Sequence, residues 1–94
     1  MMMVWVLICL SLTEGDHEAE FDGQWNRVSN ARSYIVDKTT DINNPNAWQR
    51  VAVVVHSHIT ISNLTSGQRY WVRVAAVNAN GQSGWSDPAT KIAP

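Results

Sequence analysis

Ninety-four residues with 45% hydrophobic content suit one domain with one continuous core. Seven basic against eight acidic residues give a net charge of −1, and the scattered Lys and Arg leave no footprint for nucleic acid or an anionic membrane. Cys9 is the single cysteine, which excludes an intrachain disulfide and a multi-thiolate zinc site.

In chain order, residues 1–10 are apolar without interruption but too few to span a bilayer. No Lys or Arg precedes them and no small-x-small cleavage site follows, so a secretory leader is poorly formed. Residues 1–9 are therefore set apart as an N-terminal segment, either leader or start of a strand, with the domain proper over 10–94. Within 8–13, Ile8, Leu10 and Leu12 alternate with polar partners and predict a strand with those three side chains inward. A polar turn at 14–17 leads into the alternation of 18–25, with Ala19, Phe21, Gly23 and Trp25 on one side. Glu18, Glu20, Asp22 and Gln24 occupy the other side, in water. A loop over 26–31 precedes a strand over 33–39 with Tyr34 and Val36 inward. The cluster Asn43-Asn44-Pro45 marks a turn, since Pro45 blocks continuation of a strand. Strands are then predicted over 47–55 and 58–62, with Ile59 and Ile61 inward and Leu64 sealing the end.

The segment 64–78 has the strongest pattern. After a turn around Gly67, Tyr70, Val72, Val74 and Ala76 share one parity, while Trp71, Arg73, Ala75 and Val77 share the other. Period-two alternation rich in β-branched and aromatic residues reads as a central strand. Asn80-Gly81 signals a hairpin, and a last strand is predicted over 85–92, with Pro88 tolerated on an edge. No stretch has helical periodicity, so seven short strands make an all-β sandwich.

Leu64, a turn and then Tyr70 resemble a tyrosine corner, in which the ring fills the core edge and its hydroxyl bonds backbone upstream. The succession Trp25, Val28, Ala31, Tyr34, Val36, together with that corner, resembles the fibronectin type III domain. The resemblance implies an immunoglobulin-like seven-stranded β-sandwich with Trp25, Tyr34, Leu64, Tyr70, Val72 and Val74 in its core. It also implies a non-catalytic, monomeric interaction, adhesion or spacer module, outside the cell or at its surface, needing no cofactor. Contacts would come from the loops 26–32 and 78–84 or from one sheet face. The candidates are Arg27 and Arg32 in the first loop and Asn78, Asn80, Gly81, Gln82 and Ser83 in the second. On the sheet face the candidates are Trp71, Arg73 and Trp85, where an indole can lie over the guanidinium.

Other constellations read as ordinary surface. His56 and His58 share a strand face at a spacing that binds metals, but no third ligand is implied, so no metal site is expected. Glu18, Glu20 and Asp22 share a face that the alternation places in water, so a solvated surface explains them better than an acid–base pair. Asn63-Leu64-Thr65 is a glycosylation sequon beside a packed corner, and chance explains it best. Trp85-Ser86 resembles half of the tryptophan–serine box of cytokine receptors, and the other half is absent. No Arg-Gly-Asp triplet supports integrin binding. The expected partner is a protein. The alternative is a carbohydrate-binding sandwich, motivated by five tryptophans, of which Trp48, Trp71 and Trp85 could form a stacking platform.

Overall fold

Alternating apolar residues bury one face of a strand, and two such faces closing on each other make a core. The computed structural model describes residues 8–15 and 17–94, and every regular element among them is a strand. These are β1 (Ser11–Glu14), β2 (Phe21–Gln24), β3 (Ser33–Thr39), β4 (Gln49–Val54), β5 (His58–Ile61), β6 (Arg69–Asn78), β7 (Gly81–Gln82) and β8 (Ala89–Ile92). One sheet has three strands in the order β1-β2-β5. The other has five, running β4-β3-β6 with both β7 and β8 paired to β6, and all pairings are antiparallel.

The alternation of the central strand is realised in packing. Tyr70, Val72, Val74 and Ala76 are buried, whereas Trp71, Arg73 and Val77 are half-buried on the outer face. Ala75 departs from its parity and is fully buried despite facing outward. Phe21, Ile61, Val36, Val72 and Val74 form the innermost layer, and burying each contributes roughly 1.5–3 kcal/mol before entropy. Around them, Trp25 meets Tyr34 edge to face at 5.5 Å and Phe21 meets Tyr70 likewise at 6.2 Å. Gly23 sits under Ile59 and Leu12: a Cβ on it would lie 3.4 Å and 3.5 Å from them, ordinary van der Waals contact. The six residues expected in the core are all buried.

Both tyrosines use their hydroxyls. Tyr70 Oη accepts from Thr65 N at 2.8 Å, and Tyr34 Oη accepts from Val28 N at 3.0 Å. Burial pushes the Tyr70 phenol up, but donation from Thr65 and the Lys38 charge outweigh it and hold the phenol below its ordinary value. The ammonium of Lys38 stands 5.7 Å from the same ring.

The strands expected over 47–55 and 58–62 are trimmed to Gln49–Val54 and His58–Ile61, and the first, second and last differ more, each for a local reason. The first keeps its parity, with Ile8 buried and Leu10 and Leu12 half-buried, although regular pairing begins at Ser11. The expectations for residues 1–7 lie outside the described residues. The second begins at Phe21 instead of residue 18, because Ala19 sits at φ 59 in a turn. Two long-range bonds hold that left-handed residue in place, its N–H on Pro94 O and its carbonyl under Leu64 N. Of the last strand, predicted over 85–92, only Ala89–Ile92 is realised, as β8, while β7 (Gly81–Gln82) falls in the stretch expected to be loop, and the irregular segment between the two builds the outer face.

Candidate functional site: a loop pole and a stacked outer face

Arg32 N donates to Val77 O at 2.8 Å, and Ser33 pairs with Val77. The start of β3 therefore lies beside the end of β6, which brings the loops 26–32 and 78–84 to one pole of the sandwich. Arg27 and Arg32 are exposed there, as are Asn80, Gly81 and Gln82. The second loop is a tight hairpin in which Asn78 pairs with Gly81, a residue at φ 126 that glycine alone adopts easily. Asn78 Oδ1 accepts from Asn80 N at 2.8 Å, so this side chain shapes the turn. Ser83 is not free for recognition either. Its hydroxyl accepts from Ala76 N at 2.9 Å and donates to Gly84 O at 2.9 Å.

The same pole carries two side chains that the sequence reading left aside. The rings of His56 and His58 stack 5.6 Å apart at 14°, and with Arg27 and Tyr34 they border a hollow of about 120 Å³. Among the described residues, no three His, Cys, Asp or Glu side chains gather in an arrangement that could hold a metal ion.

The outer face of the five-stranded sheet is organised by Arg73. Its guanidinium carbon lies 4.2 Å from the Trp48 ring centroid and 3.9 Å from that of Trp85. Trp85 thus stacks as the sequence suggested. The second ring is Trp48, not Trp71, which stands one pair along the strand opposite Thr39 and Thr90. Asp37, paired with Arg73 across the β3–β6 ladder, fixes the plane of the cation through Oδ2, which accepts from Nη2 at 3.0 Å and Nε at 3.3 Å. Its Oδ1 accepts from Arg50 Nε at 2.7 Å. One buried carboxylate therefore clamps two arginines, and the charge-assisted bonds make the arrangement rigid.

Local sequence delivers both indoles. Asp41 and Asn44 accept from the N–H groups of Asn43 and Asn46, fixing successive turns that lead to Trp48. Trp85 is carried by an irregular segment in which serine hydroxyls replace backbone acceptors. Ser86 N donates to Val74 O at 2.8 Å while Ser86 Oγ accepts from Val74 N at 3.0 Å, and Ser83 repeats both bonds at Ala76. The segment follows β6 without extended strand geometry, and the tryptophan between the two serines turns over Arg73.

Solved structures share this architecture. A Fn3-like protein from Clostridium thermocellum superposes with a TM-score of 0.77 at 23% identity, over 87% of this chain and 84% of that one. The FN1–FN3 domains of chicken CNTN1 match with a TM-score of 0.81 at 20% identity, over 95% of this chain and 32% of that one. Pectate lyase PelI from Erwinia chrysanthemi, solved in complex with tetragalacturonic acid, matches with a TM-score of 0.78 at 23% identity, over 92% and 28%. The chain thus spans about a third or less of the contactin and lyase chains, and at these identities the likeness is one of fold. The family match is broader: the fibronectin type III domain covers residues 10–92, and the chain belongs to that family.

Proposed function

We propose that this chain is a non-catalytic interaction module that engages a protein partner through the pole formed by the loops 26–32 and 78–84. The observation that carries the reading is the bond from Arg32 N to Val77 O, which seats both loops together beneath two exposed arginines. Loop residues escape the packing that fixes strand interiors, so recognition can vary there without cost to the core. Arg27 and Arg32 supply charged anchors, and Asn80 and Gln82 supply adaptable hydrogen bonds, a composition suited to affinity of about micromolar strength. An adhesion or spacer role outside the cell or at its surface belongs to the same proposal. Domains of this family also occur in titin, so the family alone does not fix the compartment.

The test replaces residues 78–84 with Gly-Ser sequence and both arginines with Ala, then measures affinity for a protein captured by the parent domain. Loss of binding in a variant that keeps its unfolding midpoint supports the pole. Unchanged affinity moves the site to the face of Trp48, Arg73 and Trp85.

The carbohydrate reading draws on the half-buried state of Trp48, Trp71 and Trp85 and on a fold shared with a lyase solved with tetragalacturonic acid. Against it, Arg73 occupies the facing sides of Trp48 and Trp85, which removes two ring faces from any level platform. Saturable tryptophan fluorescence change on titration with tetragalacturonic acid would favour this second reading over the first.

A further inference from the structure

β4 and β5 are each paired on one side only, β4 to β3 and β5 to β2, and they belong to different sheets. Between them runs an open groove of about 500 Å³. We propose that this groove takes an extended acidic peptide segment, which adds a strand to the free edge of β4.

The edge is suited to it. Residues 51–55 are Val-Ala-Val-Val-Val, without charge, proline or glycine, and Val53 and Val55 are 57% and 67% exposed on the outer face. Edge strands are ordinarily guarded by lysine, proline or a bulge. Here the devices among the described residues of β4 are the charge of Arg50 and the bulge at Val51, where the register with β3 shifts, both at its start and away from Val53 and Val54. An added strand would satisfy backbone groups along about 20 Å, the length of six extended residues, and would lay side chains beside Val53 and Val55.

Charge selects the occupant. Among the described residues, the charged ones bordering the groove are Lys38 and Arg50, both basic, and no carboxylate borders it. Lys38 pairs with Gln49, so both cations stand at the end remote from the link between β4 and β5. Asp37 engages Arg50 through Nε, and the Arg50 side chain stays 54% exposed. A segment with a β-branched centre and glutamates at its end matches this order of apolar edge and basic mouth. Only the basic end of the groove lies away from the loop pole, since Val55 at the other end borders the hollow of His56 and His58.

The probe is an eight-residue peptide with four central Val and Thr residues flanked by two glutamates on each side. Its counterpart carries lysines at the flanks. Titration of the full chain followed by amide NMR shifts should give saturable binding near ~100 μM for the acidic peptide, with shifts along 49–54 and 59–63. The lysine peptide, or the acidic peptide with K38Q and R50Q together, should bind about tenfold more weakly. Because R50Q removes a bond to Asp37, K38Q alone, which leaves that bond intact, should reproduce part of the loss. Equal affinity for the two peptides, no saturation below about 1 mM, or shifts confined to the loop pole would overturn the proposal. So would concentration-dependent shifts of the same amides without peptide, which would assign the edge to a second copy of the chain.

Discussion

Asp37 is buried on the outer face of a sheet, a place where a carboxylate would ordinarily be in water. Two arginines make the position tenable, and their contributions differ with exposure. Arg73 has 22% of its side chain exposed and is held between two indoles, while Arg50 has 54% exposed and is screened by solvent. Replacing Asp37 with Ala leaves Arg73 semi-buried without its counterion and should lower stability by about 2–3 kcal/mol. Arg50→Ala should cost less than about 1 kcal/mol. Chemical denaturation decides this, and equal losses for the two variants would show that the clamp is not centred on Arg73. Parity in the sequence sets Arg73 outward and Trp85 within reach of it. It does not reveal Asp37, because the pairing of Asp37 with Arg73 joins positions far apart in the chain. Trp48 is legible as a surface indole beside Trp71 and Trp85, but its contact with Arg73 is not, since that approach depends on turns whose direction the sequence does not state.

At the scale of elements, the strand over 33–39 is read from sequence with its final boundaries, because alternation and flanking polar residues agree there. The strand predicted over 85–92 is legible only in its second half. Ser83 and Ser86 explain why: each supplies a side-chain acceptor where a strand would supply a carbonyl, so the chain runs beside β6 without being extended. Hydrophobic periodicity carries no trace of such a substitution. The bond to Val74 N is buried, whereas that to Ala76 N is partly open to water. Ser86→Ala should therefore cost about 1–2 kcal/mol and shift tryptophan emission to the red as Trp85 leaves its seat. Ser83→Ala should do less on both counts. An unshifted spectrum in the Ser86 variant would mean that stacking on Arg73 alone holds the ring.

For the molecule as a whole, composition and strand count suffice for an all-β sandwich, but sheet order does not follow from them. That order has a mechanical consequence. Cys9 N bonds Asn26 Oδ1 at the loop pole, while Pro94 O accepts from Ala19 N at the other pole. Tension between residues 8 and 94 thus runs along the strands, and β1 and β8, which carry it, lie in separate sheets. Antiparallel ladder bonds stand perpendicular to their strands, so such a load shears the β1–β2 and β8–β6 ladders across all their bonds together. Pulled instead between residue 8 and the loop 26–32, β1 would peel from β2 one bond at a time. Single-molecule extension should accordingly show a higher rupture force along the first axis than along the second, and equal forces would refute the shear geometry. Joined end to end with neighbours, the domain would act as a tether that resists pull in the direction its own ends define and yields readily in another.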